Sequence, residues 1–238
     1  MSESSDARAA VITGGSEGIG LETARMLVAK GWRVLIVGRT RSKLDAAMDE
    51  LGEDARACQA DVGSPDAPRE IMQCVLGEFG RLDALINNAG YAPLTPLADT
   101  TMQEIDESFA VNAVGPAKLV LEAWPLLTES AQDGGGRVVS VSTMATRDPF
   151  AGFYAYGAAK GAIDVLTKSI AKEGKRQKVR AFAVAPGAVE TGMLRANFDE
   201  KAVPPSAALD PGVVAEVIVA CACGERDGDN GTSIEVTP

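Results

Sequence analysis

The stretch that decides the fold of this chain reads TGGSEGIG, from Thr13 to Gly20. A short apolar run, Ala9–Thr13, leads into it and has the length and composition of a buried strand. After it, apolar residues recur at helical spacing as far as Lys30. A strand, a glycine-rich turn and a helix in this order form the context in which such glycines bind a dinucleotide.

Three glycines of the stretch have separate structural roles. Gly14 permits a sharp turn, Gly18 lets the backbone approach a pyrophosphate, and Gly20 lets the helix pack closely on the strand. The free N–H groups at the start of the helix then face the phosphates, at the positive end of the helix dipole. The alternative is an ordinary glycine-rich connection. We expect a cofactor loop whose binding residues are Gly14, Ser16, Glu17, Gly18, Ile19 and Gly20.

The end of the second predicted strand, 33–37, indicates which cofactor the loop binds. An acidic residue here would accept hydrogen bonds from the ribose hydroxyls of NAD, whereas this chain has Gly38, Arg39 and Thr40. Glycine makes room for a 2′-phosphate, and arginine neutralises it. Glu17 is an acidic neighbour that argues the other way, and Arg39 is alternatively a solvated surface charge. The pattern favours NADP(H) over NAD(H), with Arg39 and Thr40 as binding residues.

Strand and helix patterns alternate along the rest of the chain. Further strands are predicted at 55–60, 82–86, 137–141, 179–185 and 231–237. Helices are predicted at 43–51, 66–79, 153–172 and 211–223, with two helical pieces over 101–127 that are separated at Gly115-Pro116. This order has no internal linker. It predicts a single α/β domain over residues 1–238, a doubly wound Rossmann fold with a seven-stranded parallel sheet and helices on both faces.

Polar residues and glycines follow several strands, where the carboxyl ends of parallel strands form a crevice. Asp61 is placed to accept a hydrogen bond from an adenine amino group, and a turn or helix-capping aspartate is the alternative. Asn87 and Asn88 can tie neighbouring strands together beneath a cofactor ribose, and a polar turn is the alternative. The cofactor residues expected at these strand ends are Asp61, Val62, Asn88, Ala89, Gly90, Pro186, Gly187, Val189 and Thr191.

Tyr156 and Lys160 stand four residues apart in a predicted helix and therefore share a face. Tyrosine has a pKa of about 10, and a neighbouring cation favours its phenolate and brings that pKa toward the working range. Tyr154 competes for this role, but its partner four residues later is Ala158. A surface tyrosine beside a solvated lysine is the alternative. The spacing favours an acid–base pair when the rest of the site surrounds it.

Two segments interrupt the regular alternation. Asn112 stands just before the predicted break, where a local kink would free backbone carbonyls for an ordered water. The stretch 192–208 reads as irregular, carries apolar residues and lies over the carboxyl-end crevice. We therefore predict that it forms a substrate lid.

Composition narrows the class of protein. The 238 residues are 46% hydrophobic and 24% charged, which suits a folded domain with a full core. No apolar run approaches the roughly 20 residues that a membrane helix needs. The polar start, residues 1–6, has no secretory signal pattern. We expect a cytoplasmic protein that has no membrane partner.

The charged and reactive residue types exclude several functions. A net charge of −10 argues against a nucleic acid partner. The chain contains no histidine, so Ser-His-Asp hydrolysis and histidine acid–base catalysis are excluded. Four cysteines are too few for a disulfide framework, and without histidine they give no reason to expect a metal site. These cysteines are Cys58, Cys74, Cys221 and Cys223.

The chain resembles the short-chain dehydrogenase/reductase family over nearly its whole length. The motifs that carry this resemblance, in order, are TGGSEGIG at 13–20, NNAG at 87–90, Asn112, Tyr156-x-x-x-Lys160 and Pro186-Gly187 with Thr191. The resemblance implies NAD(P)-dependent hydride transfer between a carbonyl and an alcohol. It also implies a homodimer or homotetramer formed through the helices at about 101–131 and 153–172.

The resemblance assigns four catalytic positions. Tyr156 would be the general acid–base, Lys160 would bind the nicotinamide ribose and lower the tyrosine pKa, and Asn112 would hold a proton-relay water. Thr143 stands at the offset before the tyrosine where the family usually has a serine, and its methyl group narrows the site. Ser142 is one residue earlier, so we expect it to point to the other face of the strand.

Together these features predict an oxidoreductase that uses NADP(H) to interconvert a carbonyl and a secondary alcohol of a small, mostly apolar substrate. Two alternatives stay open: a dehydratase or epimerase on the same scaffold, and a non-catalytic protein that senses NADP(H). The residues expected around the substrate are Tyr91, Pro93, Leu94, Met144, Phe150, Met193, Leu194 and Phe198, with Arg147 and Arg195 nearby for an anionic group.

Overall fold

The computed structural model describes residues 7–237, and its strands form one seven-stranded sheet. The strands are β1 (Ala9–Thr13), β2 (Arg33–Gly38), β3 (Ala55–Gln59), β4 (Ala84–Asn87), β5 (Arg137–Val141), β6 (Arg180–Pro186) and β7 (Ser233–Val236). All neighbours pair in parallel, in the order β3-β2-β1-β4-β5-β6-β7. The predicted doubly wound parallel sheet is confirmed. The expectation about a secretory signal concerns residues 1–6, which lie outside the described residues.

Helices cover both faces of the sheet. They are α1 (Gly18–Ala29), α2 (Arg41–Leu51), α3 (Ala67–Glu78), α4 (Met102–Phe109), α5 (Gly115–Ser130), α6 (Tyr154–Glu173), α7 (Gly192–Asn197) and α8 (Pro211–Cys223). One core lies beneath α1, α2 and α8, and the other lies beneath α3, α5 and α6. Among residues 7–237, no helix combines the length and the apolar character that crossing a membrane requires.

The two cores follow from the alternation of side chains along each strand. In β1, Ile12 belongs to the core on the α1 side, whereas Val11 belongs to the core on the α3 side. In β2, Ile36 and Leu35 divide in the same way, and all four side chains are fully buried. Each such side chain contributes roughly 1.5–3 kcal/mol by leaving water. The central strands therefore form a rigid base for the loops at their carboxyl ends.

The region between Met102 and Ser130 differs from the predicted pair of separated helices. A single π-helical segment, Ala110–Val114, joins α4 to α5, so the helical path continues through Gly115. A Cβ on Gly115 would lie 2.2 Å from the carbonyl oxygen of Val62, so glycine allows the helix to press against the loop after β3. Because the helix is continuous here, Pro116 has no N–H to donate to the π-helical turn before it, so a carbonyl of that turn lacks its usual helical partner.

The stretch 192–208 is also more regular than expected. It contains α7 and a short 3-10 turn, Pro205–Ala207. Thr191 caps α7 by accepting a hydrogen bond from the backbone N–H of Leu194 at 3.3 Å. The expected irregular segment therefore begins with a capped helix, which fixes where its apolar side chains point.

Candidate active site

A cleft of about 710 Å³ opens at the carboxyl ends of the strands. The glycine-rich loop after β1 forms one end, and the start of α6 and the segment with α7 form the other. The cleft brings together all the predicted cofactor residues except Gly20 and all the predicted catalytic residues except Asn112. Gly20 and Asn112 lie behind the lining and support it.

The glycine-rich loop owes its shape to close backbone contacts. Gly14 has φ of +64° and Gly18 has φ of +55°, a region that favours glycine. The N–H of Gly14 donates to the carbonyl of Val37 at 2.8 Å, which binds the loop to the end of β2. A Cβ on Gly20 would lie 2.2 Å from the Gly14 carbonyl oxygen, so the helix and the turn touch through bare backbone. The predicted roles of Gly14 and Gly20 in the turn and in helix packing agree with these contacts.

Asn88 ties the loop to the neighbouring strand, as the sequence indicated. Its Nδ2 donates to the carbonyls of Thr13 at 2.9 Å and Gly14 at 3.1 Å. In return, the Thr13 hydroxyl accepts hydrogen bonds from the N–H groups of Asn88 and Ala89, each at 3.0 Å. These contacts hold Ala89 and Gly90 on the floor of the cleft.

Tyr156, Thr143 and Lys160 meet at the other end of the cleft. Thr143 lies directly after β5 and faces Tyr156 in the first turn of α6, near enough for its hydroxyl to lower the pKa of the tyrosine. The Lys160 ammonium donates to the carbonyl of Val141 at 2.7 Å and lies 6.0 Å from the centre of the Tyr156 ring. Ser142 is 1% exposed, and its buried hydroxyl has no hydrogen-bond partner among the described residues. Thr143, not Ser142, is therefore the hydroxyl residue that shifts the pKa of Tyr156.

Burial favours the uncharged forms of Tyr156 and Lys160 and shifts the pKa values of both side chains. Burial raises the pKa of Tyr156 above its ordinary value, and the hydrogen bond from Thr143 opposes this rise. Burial lowers the pKa of Lys160 to about 8, against the attraction of Asp164. The lowering of the tyrosine pKa that we expected from Lys160 does not occur in the free protein. The reason is geometric, since the lysine donates to a backbone carbonyl and its charged form is itself disfavoured by burial.

Asn112 lies in the π-helical segment and is fully buried behind the cleft. Its Nδ2 donates to the carbonyls of Tyr91 at 2.7 Å and Ser108 at 2.9 Å, and its Oδ1 accepts from the N–H of Tyr91 at 3.1 Å. The side chain is therefore occupied by the protein's own backbone. The expectation that Asn112 holds a water can apply only to backbone carbonyls that the wide turn releases.

The end of β2 carries the charged part of the cleft. Arg39 is exposed, and its guanidinium lies 3.9 Å from the carboxylate of Asp61, beyond hydrogen-bond distance. Lys43 also lines this end and forms a 2.7 Å ion pair with Glu17. The sequence reading missed Lys43 because it appears only as a polar residue in the first turn of α2. Its spacing of four residues from Arg39 was the signal available.

The substrate end is mostly apolar and only partly as expected. Of the predicted lining residues, six are present there: Tyr91, Met144, Phe150, Met193, Leu194 and Phe198. Two are not, because Leu94 packs against Gly152 and Pro93 lines a separate small cavity. Residues that the sequence reading missed include Asp148, Phe153 and Asn197.

The two arginines predicted near the substrate do not line the cleft. Arg147 pairs with Asp164 at 2.9 Å and with Glu235 at 3.1 Å. Arg195 pairs with Glu190 and also donates to a backbone carbonyl in the segment after α7. Both guanidinium groups are therefore used in holding loops together. The expectation of an arginine site for an anionic substrate group was wrong.

Aromatic rings close the apolar end of the cleft above Tyr156. Phe153 lies 5.2 Å from the Tyr156 ring and 6.1 Å from that of Phe198, measured between ring centres. Phe150 lies 5.7 Å from Phe198 in an edge-to-face arrangement. Phe198 directly follows α7, so these contacts join the segment after α7 to the loop before α6. The rings form an apolar wall beside Tyr156.

A doubly wound sheet with a glycine-rich loop at one end of its cleft and a Thr–Tyr–Lys group at the other defines a nucleotide-dependent oxidoreductase. Residues 8–202 match the family described as short chain dehydrogenase. The chain belongs to that family. The protein is therefore an oxidoreductase that acts on CH–OH and C=O groups, in a family that uses NAD(P).

Relatives extend this match to nearly the full chain. An uncharacterised oxidoreductase of Mycobacterium tuberculosis is 33% identical and covers 97% of this chain and 91% of its own. The L-xylulose reductase of Mesocricetus auratus is 33% identical and covers 81% of this chain and 76% of its own. A solved 3-ketoacyl-(acyl-carrier-protein) reductase from Brucella melitensis, complexed with NADH, is 26% identical with a TM-score of 0.90 and covers 97% of this chain and 96% of that chain.

Proposed function

We propose that this protein is an NADP(H)-dependent reductase that interconverts a carbonyl and a secondary alcohol of a small, mostly apolar substrate. The observation that carries the proposal is the hydroxyl pair of Tyr156 and Thr143 at the apolar end of a cleft whose other end is a dinucleotide loop. Two hydroxyls held together in this way can both bind one substrate oxygen. The reductase names of the relatives support the same direction of reaction.

The glycine-rich loop fits a dinucleotide. A Cβ on Gly14 would lie 2.9 Å from the Asn88 side chain, and a Cβ on Gly18 would lie 3.1 Å from that of Thr191, so bare backbone faces the cleft. We assign the phosphates to the loop and the start of α1. The remaining assignments are Asp61 and Val62 for the adenine, Asn88, Ala89, Gly90 and Lys160 for the nicotinamide ribose, and Pro186, Gly187, Val189 and Thr191 for the nicotinamide side of the cleft. When bound, the cofactor supplies or accepts the hydride.

The chain's own residues handle the proton. The hydroxyls of Thr143 and Tyr156 hold the substrate oxygen, and Tyr156 donates its proton as negative charge develops there. Burial keeps the pKa of Tyr156 above its ordinary value, so the tyrosine is protonated at neutral pH, which is the state that reduction needs. Once a bound ribose favours its ammonium form, Lys160 stabilises the phenolate that remains, and the widened turn at Asn112 offers backbone carbonyls for the water that restores the proton.

Three features at the end of β2 support NADP(H). Gly38 leaves space, because a Cβ there would lie 3.4 Å from the Ser16 hydroxyl. The exposed Arg39 makes only a loose contact with Asp61, so its guanidinium can turn to a phosphate at little cost. Glu17, which argued for NAD, is engaged by Lys43. The neighbour from Brucella melitensis was solved with NADH, so this preference needs its own test.

Replacing Arg39 with alanine should weaken NADPH binding about tenfold and leave NADH binding within about twofold, since one charge-assisted contact to phosphate is lost. Arg41→Ala is the matched control, because Arg41 pairs with Asp45 at 2.8 Å and does not line the cleft. Fluorescence titration of each variant with both cofactors measures the effect. Equal losses for NADPH and NADH in Arg39→Ala would remove the 2′-phosphate assignment.

A turnover assay distinguishes the proposed reductase from the two alternatives, a non-catalytic sensor and a dehydratase or epimerase. We expect NADPH absorbance to fall when the protein meets members of a panel of aliphatic, aromatic and sugar ketones and aldehydes. Tight NADPH binding without oxidation by any carbonyl would favour the sensor. Conversion of a hydroxy or epimerisable substrate without net NADPH consumption would favour a dehydratase or epimerase. The intact Tyr156, Thr143 and Lys160 group supports the reductase over the sensor.

We further propose that 192–208 acts as a substrate lid, because Phe198 and α7 cover the cleft beside Tyr156.

We also propose a homodimer or homotetramer formed through the helices at about 101–131 and 153–172. Leu121 on α5 is 72% exposed and Val165 on α6 is 62% exposed, which is apolar surface that association would bury. Light scattering of the purified chain tests this assembly. A cytoplasmic location stays a prediction.

A further inference from the structure

Two cysteines outside the active site lie almost within bonding distance. Cys58 is on β3, the edge strand of the sheet, and Cys74 is on α3, which packs over it. Their Sγ atoms are 2.8 Å apart, and both are free thiols. A disulfide has an S–S length of about 2.05 Å, so an approach of about 0.8 Å would complete the bond. The strand and helix already hold both sulfurs in one place, which is the main requirement for forming a disulfide.

The two thiols differ in access. Cys74 is half-buried, whereas Cys58 is only 6% exposed and belongs to the core between the sheet and α3. Burial raises the pKa of the Cys58 thiol to about 12, and hydrogen bonding with Cys74 adds to the rise. A small oxidant therefore reaches Cys74 first. Cys58 is then the neighbour that completes the exchange.

We propose that Cys58 and Cys74 are a disulfide-forming modification site, oxidised by low-molecular-weight disulfides such as oxidised glutathione. The Cys74 thiolate attacks one glutathione sulfur, forms a mixed disulfide and releases one glutathione thiol. Cys58 loses its proton and attacks the Cys74 sulfur, and a second glutathione thiol leaves. The protein dithiol is oxidised to a disulfide, and one oxidised glutathione is reduced to two thiols.

The bond would close a loop that belongs to the cofactor site. The segment between the two cysteines contains Asp61 and Val62, which line the adenine end of the cleft. A disulfide between Cys58 and Cys74 joins β3 to α3 and closes the loop between these two elements. Because it also restricts the unfolded chain, it should raise the melting temperature by about 5 °C.

The test uses the whole reduced protein, treated with excess oxidised glutathione, quenched in acid, alkylated without reduction and digested with trypsin. Arg56, Arg69 and Arg81 place the two cysteines on separate tryptic peptides. We expect a cross-linked pair of peptides that is lighter by two hydrogen atoms than the two free peptides. Cys221 and Cys223 are the internal control, because two positions apart on α8 they face different sides of the helix, and we expect both to be alkylated.

Two variants separate the steps. Cys58→Ala should stop at a glutathione adduct on Cys74, and Cys74→Ser should leave Cys58 as a thiol and abolish the rise in melting temperature. The proposal fails if Cys58 and Cys74 of the native chain are both alkylated after this treatment. It also fails if the native chain retains the adduct on Cys74 with Cys58 free. Either result would mean that the short Sγ–Sγ contact does not lead to a bond.

Discussion

Replacing Tyr156 with phenylalanine should lower carbonyl reduction by about a thousandfold and leave NADPH affinity within about threefold. The ring and its contact with Phe153 remain, so the cleft keeps its shape. What disappears is the hydroxyl that faces Thr143 and that, in the proposed mechanism, delivers the proton. Steady-state turnover with an accepted ketone, together with NADPH titration of the same sample, measures both quantities.

Tyr154→Phe is the matched control for this experiment. Tyr154 is in the same turn of α6, but its side chain is 56% exposed and does not line the cleft. We expect full activity for this variant. A Tyr156→Phe protein that reduces ketones at the native rate would show that another group supplies the proton, and the proposed mechanism would have to be abandoned.

The raised pKa of Tyr156 gives the same residue a pH signature. Below its pKa the tyrosine is protonated, so reduction should not depend on pH near neutrality. Alcohol oxidation needs the phenolate, so its rate should rise by about tenfold per pH unit until the tyrosine pKa is reached. Tyr156→Phe should lose this dependence on pH as well as the activity.

The second large effect should follow from Gly20→Ala. The added Cβ would lie 2.2 Å from the Gly14 carbonyl oxygen and 2.6 Å from the Asn88 side-chain amide. The Gly14 carbonyl is part of the backbone, so it can move out of this contact only if the whole turn moves. We therefore expect α1 to shift away from β1. We expect a loss of about 2–3 kcal/mol in unfolding free energy and at least tenfold weaker NADPH binding. Urea unfolding and fluorescence titration measure the two losses.

Gly77→Ala is the matched control in a helix. Gly77 is exposed near the end of α3, away from the proposed interface, and no neighbouring side chain or other element lies within 4 Å of an added Cβ. Alanine there should stabilise the protein by about 0.5–1 kcal/mol, because it restricts the unfolded chain and favours the helix. If Gly20→Ala lowers neither the unfolding free energy nor the NADPH affinity, the close contact between helix and turn does not require glycine at position 20.

Much of the site could be predicted because parallel strands bring their carboxyl ends to one edge. Once the strands were located, the residues after them had to share a cleft, whatever the details of their side chains. Thr143 illustrates this, since the family resemblance placed it before Tyr156 and the period of two along a strand separated it from Ser142. The glycine-rich loop was predictable for a similar reason, because few backbones allow a strand, a tight turn and a helix in so few residues.

The predictions that differed from the structure concerned contacts between residues that are far apart in the sequence. Arg147 and Arg195 look available in the sequence, but their carboxylate partners hold them away from the cleft. A π-helical segment around Asn112 replaces the predicted break, and Gly115 directly after it packs against the Val62 carbonyl from the loop after β3. The position of Lys43 beside Glu17 likewise needs the fold, since Glu17 precedes α1 and Lys43 lies in the first turn of α2. Local sequence patterns do not predict such pairings between distant residues.

The buried Lys160 makes the free protein a buffer near pH 8. With a pKa of about 8, a substantial share of molecules carry a neutral amine at that pH. A ligand that brings acceptors or negative charge to its Nζ favours the ammonium, so binding takes up protons from solution. Affinity then decreases as the pH rises above 8, and a calorimeter records the buffer's heat of ionisation along with the heat of binding.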